Sequence, residues 1–181
     1  MSKKHFGFYL VIISFLIVGC ASIPEPNNNK QTLIIGEINF EGKNYPENFR
    51  SLNGNHKMGV EITMENISTN RTYTITSERG GTFYSVKIPE GRYRITSFYY
   101  KSPTGQWQRY SYPSAIEEFN IMYGMVNNFG KLDWIHERIE TVYNGRTLHD
   151  QEYDRVKNDF FGNNPKSIWN EKQWFSVFNK L

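Results

Sequence analysis

Apolar and polar residues alternate with period two along most of the chain, the pattern of strands buried on one face. The first such run begins at Thr32, with Ile34, Ile38 and Phe40 on one side. The clearest run is 58–65, where Met58, Val60, Ile62 and Met64 face inward while Glu61, Thr63 and Glu65 face out. Residues 66–71 are turn-rich, and Tyr73 and Ile75 then alternate with threonines. Gly80-Gly81 punctuates the chain before a strand at 82–88. Pro89-Glu90-Gly91 signals a tight turn leading straight into a strand at 92–99. After a loop at 101–113, strands are expected at 115–122, 130–135 and 138–143. Many short strands at regular turn spacing predict a mainly β chain, an antiparallel β-sandwich and not a parallel sheet.

The tail changes period. Asp150 is placed to cap a helix in which Tyr153, Val156 and Phe160 form one stripe, and Gly162 and Pro165 stop it. A second short helix is expected from Ser167, with Ile168, Phe175 and Phe178 on one side. The β domain thus spans 32–145, and 146–181 is a segment of one or two α-helices packed on it.

At the other end, Lys3-Lys4 precede a mostly apolar run over 6–18, which closes in Ile17-Val18-Gly19-Cys20. The alternatives are an ordinary secretory signal, which favours an Ala-x-Ala site absent before Cys20, and a spanning anchor, which needs roughly 20 apolar residues where this run is shorter. A basic start, a short apolar stretch and a small residue before the cysteine form an export signal. The order resembles the lipobox of bacterial lipoproteins. That resemblance implies cleavage between Gly19 and Cys20, acylation of the Cys20 thiol, and 1–19 as the removed signal. Residues 20–31, with two prolines and three asparagines, read as an extended, solvated tether. About ten residues at ~3.3 Å each would hold the domain roughly 30 Å from the bilayer.

Charge and cysteine usage narrow the partners. The formal charge of +3 includes Lys3 and Lys4, so the chain without its signal is close to neutral and shows no basic field for nucleic acid. The chain has one cysteine, so it has no internal disulfide and no cysteine nucleophile besides Cys20. Stability must come from the core, and an aromatic content of 16% can supply it.

Over 59–95 the residues resemble a transthyretin-like module, also called the carboxypeptidase regulatory-like domain. The matching pieces are Val60-x-Ile62, the Asn66 turn, Tyr73-x-Ile75 and the run from Gly81-x-Phe83-Tyr84 through Ile88-Pro89-x-Gly91-x-Tyr93-Arg94-Ile95. Phe119-x-Ile121-x-x-Gly124-x-Val126-Asn127-x-x-Gly130-x-Leu132 is similar to the later strand pair of bacterial lipoproteins that carry such a domain. The resemblance implies a Greek-key sandwich that binds, spaces or stabilises. Relatives that hydrolyse a purine intermediate use a C-terminal tetrapeptide, and this chain ends Phe178-Asn179-Lys180-Leu181 without it.

Catalytic patterns are sparse. His56, His136 and His149 lie in no metal-ligand spacing, and Asp133 with His136 would supply too few ligands for zinc. Glu117-Glu118 are strand neighbours facing apart, and Glu61 and Glu65 sit on a solvated face, which does not suit paired-acid glycoside cleavage. Neither a metal nor a cofactor is expected. The best candidate ligand-binding surface is the aromatic segment with Tyr99, Tyr100, Trp107, Arg109, Tyr110 and Tyr112, suited to a sugar ring or a protein partner. Its alternative role is to close the sandwich core and form ordinary cross-strand pairs.

These observations lead to a non-enzymatic envelope lipoprotein, held in membrane lipid by acylated Cys20, whose sandwich binds or scaffolds an envelope protein or glycan. The alternatives are a surface adhesin or receptor working through 99–112 and, behind it, an enzyme on cell-wall or small-molecule substrates. Ala21-Ser22 lacks the aspartate that retains lipoproteins at the inner membrane, which points to the outer membrane.

Overall fold

The alternation that opens at Leu33 folds as strand β1 (Leu33–Lys43). The structure is a computed structural model that describes residues 23–45, 47, 54–56, 59–78, 81–101, 107–111, 118–139, 142–150 and 152–178. Strands β2 (Gly54–His56), β3 (Val60–Asn66), β4 (Thr72–Thr76), β5 (Thr82–Ser85) and β6 (Gly91–Lys101) follow. The chain continues through β7 (Trp107–Ser111), β8 (Phe119–Ile121), β9 (Val126–Ile139) and β10 (Val142–Asp150). Helix α1 (Tyr153–Asn163), a 3-10 turn (Ile168–Glu171) and β11 (Trp174–Ser176) close it.

The chain is mainly β, as its periodicity predicts, and its strands form two sheets. One runs β10-β9-β1-β2, with β5 also paired to β1 and β11 to β9. The other runs β4-β3-β6-β7, with β8 beside β6. Most pairs are antiparallel, but β1 lies parallel to β9 from Leu33↔Val126 to Lys43↔Glu137, and β11 is also parallel to β9. Turn signals report only hairpins. A parallel neighbour needs a long crossover, and here the whole second sheet lies between β1 and β9 in sequence.

The last strands differ from expectation for the same local reason. Gly130 does not open a strand; it sits inside β9 at φ +64°, where the ladder skips between Ile35 and Glu37. A bulge takes the extra residue, and Asn128 Oδ1 accepts from the Gly130 N–H at 2.9 Å. The strand expected at 138–143 straddles the link between β9 and β10, and of the one expected at 115–122 only Phe119–Ile121 is described as strand.

Helix α1 buries Tyr153, Val156 and Phe160 as the stripe predicts. Asp150 is no cap but the last residue of β10, and Glu152 occupies the cap position with its carboxylate turned to Arg155 in place of the helix N–H groups. The second helix does not form. Ser167 caps only a 3-10 turn, its Oγ accepting from the Trp169 N–H at 3.2 Å. Phe175 then lies in β11, where the free flank of β9 offers backbone partners: Val126 N–H to Gln173 O and Val177 N–H to Asn128 O, both 2.9 Å.

The sheets share one core. Ile34, Ile38 and Phe40 meet Val60, Ile62, Met64 and Phe98, and Phe98 stacks on Trp134 across the gap with ring centroids 5.3 Å apart. Thr63, expected outside, is buried beside a register shift between β3 and β6. On the outer face, Leu33, Ile35 and Val126 pack beneath Val156, Phe160 and Trp169. Strand β1 is therefore covered on both sides. At its centre Gly36 leaves room for the edge-to-face pair of Phe83 and Phe129, since a Cβ there would stand 2.5 Å from Phe83 Cζ and 2.8 Å from Phe129 Cβ.

The Pro89-Glu90-Gly91 turn is held from inside. Gly91 adopts φ +145°, and a Cβ on it would meet Asn66 Nδ2 at 2.5 Å. The buried Tyr93 hydroxyl donates to Pro89 O at 2.8 Å, and burial raises its pKa above the usual phenol value.

Two outcomes follow from this packing. Gly36→Ala should lower the stability read from urea unfolding by about 1–3 kcal/mol with an unchanged m-value, the usual cost of overpacking. Tyr93 contributes stability below the unfolded phenol pKa that is lost as pH rises through its higher folded value. Tyr93→Phe should therefore flatten the alkaline limb of the unfolding midpoint against pH.

Candidate functional site

Asn127 is fully buried at the start of β9, and its side chain builds the turn before it. Its Oδ1 accepts from Met122 N–H at 2.7 Å, while Nδ2 donates to Met122 O at 3.0 Å and Met125 O at 3.4 Å. Gly124 takes φ +67° at the apex and donates its N–H to Thr32 Oγ1 at 3.0 Å. Because the inside of this turn is occupied by an amide, Met122 and Tyr123 stand outward, 37% and 53% exposed.

The segment before β1 completes this pole. Trp169 is fully buried and donates its indole N–H to Pro24 O at 2.8 Å, and Ile168 N–H donates to Glu25 Oε2 at 2.9 Å. The Lys172 ammonium donates to Asn29 O at 2.7 Å, Gln31 O at 3.3 Å and Gly124 O at 3.4 Å, and lies 5.3 Å from the Trp169 ring centre. Desolvation lowers its pKa. Ile23 packs against the cluster beneath α1. Residues 23–31 are thus docked on the C-terminal turn, whereas their composition predicts a solvated tether. Proline and asparagine content reports what a segment cannot bury for itself and is silent about carbonyls that a distant tryptophan and lysine can use.

Two open clefts flank the β8–β9 turn. One of about 430 Å³ is lined by Lys30, Thr32, Lys87, Pro89, Glu90 and Tyr123. The other, about 260 Å³, lies among Asn29, Gly124, Ile168, Glu171 and Lys172, with Ile168 49% exposed. An aromatic ring, an aliphatic chain and a few charges in open clefts suit adsorption or binding. Among the described residues, no group of three or more His, Cys, Asp or Glu side chains could hold a metal. Asp133 accepts from Asn39 and pairs with Lys131, and it is three positions from His136 on one continuous strand. Glu65 and Glu118 pair with Arg94 and Arg92.

The residues singled out from sequence fall elsewhere. Tyr99 lies half-buried in β6 opposite Arg109 of β7, Tyr100 opposite Gln108, and Trp107 opposite Lys101. Tyr110 is registered with the buried Phe98. Neighbouring ladder positions belong to opposite faces of a pleated sheet, so Tyr99 lies on the face opposite that of the buried Phe98. Tyr112, Gly19 and Cys20 lie outside the described residues, as does Met58. Sequence reasoning missed Met122, Tyr123 and Lys172 and placed Ile168 on a packing stripe. A Tyr-Gly pair in a turn before the Val126-Asn127 start of β9 was the available signal.

No protein-family model matches the chain, and no curated protein matches it. A solved leucine-rich repeat protein from Bacteroides thetaiotaomicron VPI-5482 aligns at 13% identity with a TM-score of 0.35, over 60% of this chain and 14% of that one. The chain spans a small part of that protein's length, and a likeness of that size carries no argument.

Trp169→Phe tests the docking of the N-terminal segment. Losing one hydrogen bond of ~1 kcal/mol should raise local opening about fivefold. Deuterium uptake over 23–31 should rise accordingly while β1 stays protected.

Proposed function

We propose that the chain is a lipid-anchored bacterial envelope protein whose β domain binds or scaffolds other envelope components without catalysis. The observation that carries this reading is the order Lys3-Lys4, apolar run, Ile17-Val18-Gly19-Cys20, with Cys20 the chain's one cysteine. The domain fits a transthyretin-like β-sandwich of Greek-key type, supported by two sheets over a shared core and the Pro89-Glu90-Gly91 turn into β6. Its parallel β1–β9 ladder and C-terminal segment are additions to that module. Ala21-Ser22 after the cysteine favours the outer membrane. A second reading, a surface adhesin or receptor, draws on β7, which carries Trp107, Arg109 and Tyr110 and ends the path of its sheet.

In cells given labelled palmitate, the wild-type chain should carry label and fractionate with membranes. Cys20→Ser should lose the label and move to the soluble fraction; an unlabelled wild type, with partition unaltered in the variant, would overturn the anchor. Protease added to intact cells separates the two readings. Protection until lysis supports a scaffold inside the envelope, and rapid loss supports the adhesin.

A further inference from the structure

We propose that the pole bearing Met122, Tyr123 and Ile168 rests in the interfacial layer of a phospholipid bilayer, which seats the domain on the membrane. This inference rests on the lipid anchor at Cys20 and names the partner of the pole.

The first argument is chain length. Because Pro24, Glu25, Asn29 and Gln31 are bonded to the C-terminal turn and Ile23 packs beneath α1, three peptide steps separate the acylated Cys20 from the docked segment. At ~3.6 Å per step they span at most about 11 Å, whatever path they take. A headgroup layer is itself roughly 5–7 Å deep on each side of the hydrocarbon. The surface around Ile23 is therefore brought against lipid, in place of a standoff near 30 Å.

The second argument is what that surface presents. Among residues whose side chains are described, the exposed large hydrophobics are Met122, Tyr123 and Ile168. Ile168 follows the cap beside Glu25, and it shares a cleft with Gly124, the neighbour of Tyr123. Ile168 and Tyr123 thus flank the segment that leads back to Cys20, and Met122 adjoins Tyr123 in the same turn. A tyrosine with an apolar body and a polar tip suits the boundary between headgroup and acyl chain. Lys30 and Lys87 beside Tyr123 can meet lipid phosphates, with Glu90 opposing them in the same cleft. Burial of apolar side chains drives this contact, and charge assists it weakly.

The test uses the acylated full chain in vesicles of phosphatidylethanolamine and phosphatidylglycerol, some carrying a nitroxide lipid. Acylation blocks the chain's one cysteine, so a new cysteine takes a nitrobenzoxadiazole label alone. Tyr123→Cys and Ile168→Cys report on the pole. Lys43→Cys reports on the far end of β1, about 33 Å away at ~3.3 Å per residue. The expected result is a blue-shifted emission at 123 and 168, with at least about threefold stronger quenching than at 43, given a ~30 Å hydrocarbon slab below. Equal quenching at all three positions, in protein that floats with the vesicles, would overturn the seating and leave the anchor intact. Protein that neither floats nor carries acyl chains would overturn both. A blue shift that follows protein concentration and ignores the nitroxide would assign the pole to a second copy, and overturn the proposal.

Discussion

The parallel ladder between β1 and β9 is the constraint on which the rest of the molecule depends. Strand β1 pairs with β2, β5 and β9, and β9 in turn carries β10 and β11. Both faces of β1 are buried: Ile34, Ile38 and Phe40 against the second sheet, Leu33 and Ile35 against the helical side. Each such side chain contributes roughly 1.5–3 kcal/mol by leaving water. Register errors by one residue would exchange the two sets, so the bulge at Gly130 and the missing side chain at Gly36, whose place Phe83 and Phe129 fill, fix alignment as well as packing.

The pole at the start of these strands is a consequence of that ladder. The parallel pairing of Leu33 with Val126 puts the chain entering β1 beside the chain entering β9. That juxtaposition gives Thr32 the Gly124 N–H and gives Lys172 carbonyls from both segments. Strand β11, parallel to the other side of β9, brings the 3-10 turn with Trp169 and Ile168 to the same end. Three stretches far apart in sequence therefore meet, and their outward residues form a surface that none carries alone.

Sequence reasoning reached the elements whose information is local. Alternation at Val60, Ile62 and Met64 reported a buried face, and the stripe Tyr153, Val156, Phe160 reported a helix. What it missed depends on distant partners. Gly130 reads as a boundary unless the ladder opposite is known to skip there. Phe175 reads as helical unless β9 has an open flank. Pro24 and the asparagines after it read as solvated unless Trp169 and Lys172 are known to be near. The candidate pole was illegible for the same reason: Tyr123 and Ile168 are 45 positions apart in the chain, and no period relates them.

The β1–β9 ladder also sets an order of events for a growing chain. Asn39 and Asp133, bonded across it, are 94 positions apart, so the apolar strand made first waits for a partner made much later. At ~5–20 residues per second that interval is about 5–19 s of synthesis. Until it ends, β1 can pair only with β2 and β5, and the flank that β9 will take stays open beside Ile34, Ile35, Ile38 and Phe40. Non-local pairing of this kind folds slowly. The six-stranded sheet therefore stays incomplete until the last third of the chain has been made, while every strand of the second sheet is already present.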